Sequence, residues 1–151
     1  MKKLEFLVGE WAGEGWMEFA PGQRRPFRGI EVAQSKLDGL LLTIDGLHRG
    51  KVGGQGDETV VHNAFAIVFY DATAKRYRFQ GFTARGNHED TTAEVTDGKL
   101  VWGMMIPQFG DVRYTIKLDD QGRWFEVGEV TRDGKTWRKF LEMTLHRAKP
   151  K

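Results

Sequence analysis

The segment Gly9-Glu10-Trp11-Ala12-Gly13-Glu14-Gly15-Trp16 alternates between two kinds of residue with a period of two. Its glycines share one face with Trp11, and the two carboxylates lie on the other face. This alternation is typical of a β-strand with one packed face and one face in water. Glycines beside a large indole indicate that something approaches the backbone closely: a plug, a strand crossing at a tight barrel corner, or a ligand. The segment therefore predicts a strand of a small closed β-barrel.

Strand candidates continue along the rest of the chain, divided by turn signals. Asp-Gly dipeptides at 38–39, 97–98 and 133–134 are typical of hairpins, and Asp119-Asp120-Gln121-Gly122 fits a type I turn closed by a left-handed glycine. Ahead of them, the apolar residues between positions 2 and 8 have helical spacing and predict one short helical turn. The ten strands are placed at 10–19, 27–37, 40–49, 59–70, 75–83, 89–96, 99–106, 111–119, 123–132 and 135–146.

Short turns make neighbouring strands antiparallel, and so many short strands must hide their edges. An up-and-down barrel does so by closing on itself. We therefore predict an all-β fold: a single domain over 1–151, built as an antiparallel up-and-down barrel of about ten strands, calycin- or lipocalin-like, with a short N-terminal helical turn.

Composition excludes several classes of function. The chain of 151 residues contains no cysteine, which removes disulfides, thiolate metal sites and thiol nucleophiles. The 23 basic and 21 acidic residues are spread along the sequence, so a nucleic-acid partner is not expected. No apolar run is long enough for a signal peptide or a membrane span, and we expect a cytoplasmic protein.

The opening motif Gly9-x-Trp11-x-Gly13-x-Gly15, followed by a ten-strand meander, resembles the nitrobindin-like families of the calycin group, relatives of lipocalins and fatty-acid-binding proteins. The similarity runs from Phe6 to Leu145. It implies a barrel with an internal cavity and no established activity. Nitrobindins bind haem through a histidine on the last strand, so the resemblance offers haem as an alternative ligand. Here that strand has only His146, at its far end and outside the expected pattern.

Inward aromatics and methionines either fill a barrel of this size or line a pocket for one small ligand. His62 shares a strand face with small residues and could present a polar group to a ligand, or else simply meet water at a strand end. The glycine-rich segment 50–57 is either a mobile gate at the barrel mouth or a plain connector. The candidate ligand-binding residues are Trp11, Met17, His62, Phe79, Trp102, Met104, Tyr114, Trp137 and Met143.

The last hairpin decides which carboxylates face inward. A two-residue turn at 133–134 places Trp137 and Met143 on one face, and Glu129 opposite Arg138 on the other. We expect the face with Trp137 and Met143 to be inward, because it carries more apolar bulk. Glu129 and Glu142 share the other face and become candidate acid or base groups only if that face points inward.

The sequence supports no other catalytic or metal-binding motif. His88-Glu89-Asp90 is the one compact set of metal-ligand types, but adjacent residues on a strand point in opposite directions, so no metal site is expected. The only serine, Ser35, has no glycine elbow around it.

Three hypotheses about function remain. The first is binding or carriage of a small apolar or amphipathic molecule inside the barrel. The second is a cavity enzyme, such as an isomerase, hydratase or decarboxylase, that uses Glu129, Glu142 or His62. The third is a filled barrel that acts through its surface, for instance as a homodimer.

Overall fold

A computed structural model describes residues 1–52 and 55–148. The chain forms a short 3₁₀ helix, Lys2–Leu7, and ten strands. The strands are β1 (Gly9–Met17), β2 (Arg25–Lys36), β3 (Leu41–Gly50), β4 (Thr59–Asp71), β5 (Arg76–Thr83), β6 (His88–Thr96), β7 (Lys99–Ile106), β8 (Gly110–Leu118), β9 (Trp124–Thr131) and β10 (Arg138–Arg147). Across the described ranges, no helix has the length and apolar character needed to cross a membrane.

Each strand pairs with its neighbours in sequence, and β1 also pairs with β10, so the sheet closes. All pairs are antiparallel, as predicted. The two-residue turn between β6 and β7 is confirmed by the pairing of Thr96 with Lys99. The turn after β8 is also as expected: Gly122 has a φ of 74° and donates its N–H to the carbonyl of Asp119 at 3.0 Å.

The glycines of β1 accommodate a close approach by β10. A Cβ placed on Gly13 would lie 2.1 Å from the carbonyl oxygen of Thr144, and one on Gly15 would lie 2.5 Å from the carbonyl oxygen of Glu142. Both contacts are with backbone, which has little freedom to move away. The close approach is therefore that of β10, the paired neighbour of β1, rather than of a plug or a crossing strand.

Replacing Gly13 with alanine is expected to lower the free energy of unfolding by about 1 to 3 kcal/mol or more, because the added methyl group overlaps backbone. Gly29, which pairs with Gly13 across β1 and β2, is the matched control. Its Cβ would meet side chains rather than backbone, Sδ of Met143 at 3.1 Å and Cδ2 of His48 at 3.2 Å, so Gly29→Ala should cost less. Urea unfolding of both variants measures the difference, and equal losses would contradict the close-approach explanation.

One end of the barrel is closed by large apolar side chains. Leu4 and Leu7 of the 3₁₀ helix pack against the fully buried Trp11 and Trp124. The indole N–H of Trp11 donates to the carbonyl of Leu7 at 2.8 Å, which ties the helix to β1. The opposite end, where β1, β3, β5, β7 and β9 finish, lacks such a helix in the described part of the chain. We call it the open end.

The hairpin between β9 and β10 differs from the prediction. Val130 pairs with Arg138, so the loop has six residues, 132–137, rather than two. The side chain of Asp133 widens the turn by accepting backbone N–H bonds from Lys135 and Thr136, each at 2.8 Å. A register shift between Lys139 and Leu141 then adds one residue to β10. The predicted two-residue turn was therefore wrong.

Candidate functional site

The interior of the barrel contains three buried side chains that carry ionisable groups. Glu31 of β2, His48 of β3 and Glu126 of β9 are each at least nine-tenths buried. They face inward because strand residues alternate and their neighbours at two-residue spacing, such as Ala33 and Trp124, belong to the core. These three side chains are polar groups inside an otherwise apolar core, and we call them the polar centre.

Glu31 and His48 form a pair across β2 and β3. Oε1 of Glu31 lies 2.8 Å from Nε2 of His48. A Cβ on Gly46 would lie 2.8 Å from both carboxyl oxygens of Glu31, so a glycine leaves the room that the carboxyl occupies. Phe27 stacks on the imidazole of His48 with ring centroids 4.6 Å apart. The ring of His62 lies beside the same imidazole, with centroids 5.0 Å apart.

Burial controls the protonation of these groups. It raises the pKa of Glu31 to about 8, with a further contribution from the charge of Asp45. It also raises the pKa of Glu126 well above its usual value, and the nearby charge of Glu31 raises it further. Burial lowers the pKa of His48 to about 4. It does the same to the pKa of His62, where the charges of His48 and Arg85 contribute in the same direction. Burial therefore favours the uncharged form of each group in the polar centre.

Three buried side-chain atoms in the described ranges have no hydrogen-bond partner: Nδ1 of His48, Oγ1 of Thr83 and Nε1 of Trp124. Of these, Nδ1 of His48 belongs to the polar centre. With Glu31 protonated and His48 neutral, the carboxyl donates to Nε2, and the ring proton is on Nδ1. Among the same residues that Nδ1 has no acceptor. Buried polar groups without partners are uncommon and mark places where a ligand or water binds.

An aromatic wall lies along one side of the interior. Phe79 stacks on Trp102 at 4.4 Å between centroids, and Trp102 stacks on Tyr114 at 5.1 Å. Tyr114 in turn meets Phe140 edge-on at 5.8 Å. Burial, together with the charges of Glu126 and Glu89, raises the pKa of the Tyr114 phenol.

Inward-facing side chains are less buried toward the open end than toward the closed end. Side chains near the closed end, such as Leu100 and Leu145, have no exposed surface. By contrast, nine inward-facing positions closer to the open end are only half-buried, although the barrel wall surrounds them. They are Met17, His62, Ala64, Gly81, Thr83, Glu89, Thr91, Met104 and Tyr114. The accessible surface of these inward residues therefore lies toward the open end.

A surface pocket of about 450 Å³ lies at the same end, between the loops that follow β1, β7 and β9. Phe19 and Phe109 contribute aromatic rings, which meet edge-on at 5.6 Å. Arg138 lies at its rim and donates to the carbonyls of Glu18 and Phe19. The predicted gate at 50–57 would also lie at this end, but Gly53 and Gly54 fall outside the described residues.

Eight of the nine predicted ligand-binding residues face the interior. Trp11 and Met143 are fully buried, whereas Met104 and Tyr114 line the half-buried part. Met17, His62, Phe79 and Trp102 are the other four. Trp137 is the exception. It precedes β10 and stacks under the guanidinium of Arg113, 4.0 Å from the ring centroid, on the outer wall. The longer β9–β10 loop moves it there.

The carboxylates named in the enzyme hypothesis lie on the outer wall. Glu129 accepts a hydrogen bond from Arg113 at 3.1 Å, and Glu142 accepts one from Lys139 at 3.4 Å. The two buried acids of the interior, Glu31 and Glu126, were missed. Their signal was present, because each shares the two-residue period of a core face.

The structure does not provide the haem ligand that the resemblance implies. His146 is exposed near the end of β10, on the opposite face from the buried Leu145. Within residues 1–52 and 55–148, no group of three histidine or acidic side chains is arranged to hold a metal ion.

The fold has a known structural neighbour. The crystal structure of Rv2717c from M. tuberculosis aligns with a TM-score of 0.68, over 98% of this chain and 96% of that chain, at 15% sequence identity. At that identity the likeness shows the fold alone. A calycin-like barrel agrees with it in outline. No protein-family model matches the sequence, and no curated protein matches it either.

Proposed function

We propose that the protein binds a small amphipathic molecule inside the barrel, with access from the open end. The observation that supports this most directly is the set of inward-facing but half-buried residues near that end, Tyr114 and His62 among them. The aromatic wall provides apolar contact, and the polar centre provides groups that can hold one end of the guest. Binding barrels of this kind combine an apolar lining with a few polar groups that orient the ligand.

The unsatisfied groups favour binding over a purely structural interior. A filled barrel has no use for the unpartnered Nδ1 of His48, because burying a polar group without a hydrogen bond lowers stability. A guest that bonds to this nitrogen would offset that cost.

Titration with N-phenyl-1-naphthylamine, a neutral apolar dye, tests the proposal. The dye should bind the wild-type protein with enhanced emission, and native mass spectrometry of freshly purified protein should show a retained small molecule. Ala64→Leu fills half-buried inner space on β4 and should weaken dye binding at least tenfold. Asn63→Leu, one residue away and exposed, is the matched control and should bind as the wild type does.

Two results would overturn the proposal. The first is the absence of both dye binding and a retained mass. The second is equal dye affinity in the two leucine variants, which would place the dye on the outer surface. Far-ultraviolet circular dichroism of each variant confirms that the barrel is folded before affinities are compared.

Haem is the alternative guest that the nitrobindin resemblance implies, and the exposed position of His146 does not support it. The His146→Ala variant should therefore show the same absorption spectrum with added haem as the wild type. A shift of the Soret band that depends on His146 would restore the haem hypothesis.

A further inference from the structure

The imidazole of His48 is held in place at one nitrogen and lacks a partner at the other. Its Nε2 lies 2.8 Å from Oε1 of Glu31, and Phe27 stacks on the ring with centroids 4.6 Å apart and planes 5° from parallel. In the described ranges the buried Nδ1 has no hydrogen-bond partner. A fixed ring with one unsatisfied polar atom is a site that a bound molecule can complete.

The geometry of the ring shows where Nδ1 points. A Cβ on Gly29 of β2 would lie 3.2 Å from Cδ2 and 3.5 Å from Nε2, and Glu31 of the same strand lies against Nε2. Nδ1 is the ring atom opposite the Cδ2–Nε2 bond, so it is turned away from β2. The other neighbour of β3 is β4, where His62 pairs with His48 and its ring lies 5.0 Å away between centroids.

The same end of the barrel holds a second unsatisfied polar atom. His48 lies two residues before Gly50, the last residue of β3, and Thr83 is the last residue of β5, so both are near the open end. The buried hydroxyl oxygen of Thr83 has no partner in the part of the chain that the structure describes. Two of the three unpartnered atoms therefore lie where the inner surface is half-buried, and the third, on Trp124, lies at the closed end.

The contact between His48 and Glu31 makes Nδ1 a hydrogen-bond donor. Burial raises the pKa of Glu31 and lowers that of His48, so it favours a pair with no net charge. In such a pair one proton lies between Oε1 and Nε2. Nδ1 then carries a hydrogen whichever atom holds the shared proton, because a neutral imidazole has its N–H on Nδ1 and an imidazolium has one on each nitrogen. Nδ1 therefore needs an acceptor.

We propose that the barrel accepts a guest whose buried end carries a neutral carbonyl oxygen, as in a ketone, an ester or an amide, and that Nδ1 of His48 donates a hydrogen bond to this oxygen. The proposal rests on the proposed binding function and names the class of guest. The hydrogen bond would satisfy the unpartnered nitrogen, and the apolar remainder of the guest would contact the aromatic wall.

The surroundings of His48 favour a neutral head group over a charged one. Burial is the main cause of the pKa shifts of Glu31, His48 and His62, and in each it favours the uncharged form. A charged guest would lose its hydration in the same region. Since the charge of Arg85 also acts on His62, the test includes a carboxylate probe.

The approach to Nδ1 passes His62. Nδ1 has almost no accessible surface, whereas His62 is half-buried near the open end. A guest that enters from that end meets the His62 ring first and reaches Nδ1 when this ring turns aside. The His62→Ala variant removes the obstacle and should therefore bind a carbonyl guest at least as tightly as the wild type does.

Three naphthalenes of similar shape test the head group: 2-acetylnaphthalene, 2-ethylnaphthalene and 2-naphthoate. The first two differ only in a carbonyl oxygen that replaces two hydrogens. In calorimetric titrations at pH 7, the affinity of the ketone relative to its partition from water into hexadecane should exceed that of 2-ethylnaphthalene by about tenfold or more. The naphthoate should bind more weakly than the ketone.

Two substitutions separate the roles of the two ring nitrogens. In His48→Asn the side-chain amide takes the place of Nδ1, and in His48→Gln it takes the place of Nε2. H48N should keep the ketone affinity within about threefold, whereas H48Q should lose about tenfold, and 2-ethylnaphthalene should bind both variants equally. A merely structural role for the contact with Glu31 predicts the reverse order, because the longer glutamine is the one that reaches Glu31.

NMR of the nitrogen-15-labelled wild-type protein covers the case in which a variant does not fold. The chemical shifts of the ring nitrogens report which of them carries a hydrogen. Nδ1 of His48 should carry one in the free protein. Its proton resonance should move downfield when 2-acetylnaphthalene is added and should stay in place with 2-ethylnaphthalene.

The outcomes separate the two proposals. The carbonyl preference is wrong, and the binding function stands, if 2-ethylnaphthalene matches the ketone on the same reference or if the naphthoate binds tightest. It is also wrong if H48Q binds the ketone as the wild type does, if Nδ1 of His48 carries no hydrogen, or if H62A weakens ketone binding about tenfold. If N-phenyl-1-naphthylamine binds and none of the three naphthalenes does, the preference is wrong as well. If none of the four molecules binds, the binding function itself is wrong.

Discussion

Replacing Trp11 with alanine is expected to lower the free energy of unfolding by about 3 to 5 kcal/mol. Trp11 has no exposed surface, and it packs edge-on against Trp124 with ring centroids 5.7 Å apart. The substitution removes one of the two buried tryptophans at the closed end and leaves a cavity. It also removes the 2.8 Å hydrogen bond to the carbonyl of Leu7, so the 3₁₀ helix loses its tie to β1.

Trp16 provides the matched control, since it lies on the same strand at an odd spacing and so on the other face. It is half-buried, under the guanidinium of Arg24 at 3.6 Å from the ring centroid. Trp16→Ala should cost about 1 kcal/mol or less. Urea unfolding followed by circular dichroism compares the two variants, and similar losses would show that the closed end does not carry the stability attributed to it.

The second large effect is an unusual dependence of stability on pH. We expect the free energy of unfolding to stay nearly level from about pH 5 to 6.5. It should then fall by about 1 to 3 kcal/mol per pH unit up to about pH 8. A soluble protein without buried acids would show no such decline over that interval.

The sign follows from which state binds more protons. The pKa of Glu31 is about 8 in the folded protein and near 4.5 in the unfolded chain, so between those values the folded state holds the extra proton and stability falls as pH rises. Glu126, whose pKa is also raised, acts in the same direction. The pKa values of His48 and His62 are about 4 when folded, against 6.5 when unfolded. Between these values the unfolded chain holds the protons, so stability rises with pH and offsets the carboxyls until about pH 6.5.

Thermal or urea unfolding across pH 5 to 9 measures this profile. In the E31Q/E126Q variant the free energy of unfolding should no longer decline above pH 6.5. It should still rise with pH up to about 6.5, because the two histidines remain. The E129Q control should follow the wild type, because its carboxylate lies on the outer wall. A wild-type profile that is flat from pH 6.5 to 8 would mean that the inward carboxyls ionise normally.

Local sequence signals predicted most of the fold. Period-two alternation at Val112, Tyr114 and Ile116 indicated the inward face of β8, and turn dipeptides such as Asp97-Gly98 indicated the antiparallel connections. The Asp38-Gly39 connection is a loop of four residues, 37–40, rather than two. The β9–β10 turn departed furthest from the prediction, because bonds between the Asp133 side chain and the backbone favoured a loop of six residues. That difference in length moved Trp137 to the outer wall.

The site was less predictable. Eight of the nine proposed lining residues do face inward, because burial follows the alternation of each strand. The polar centre was missed, since an isolated glutamate on an apolar face is ordinarily solvated or paired, and sequence reasoning looked for carboxylates in the last hairpin instead. Glu31 and Glu126 are 95 positions apart (126 − 31), and no local pattern relates them.

The sequence by itself determined the strands, their antiparallel order and the inward face of most of them, because alternation and turn chemistry act over a few residues. Only the tertiary structure decided which polar side chains share the interior and why β1 needs its glycines. Closure of the barrel brings β2, β3 and β9 around one space, and it presses the backbone of β10 against Gly13. Both results depend on distances across the closed sheet, which no short stretch of sequence specifies.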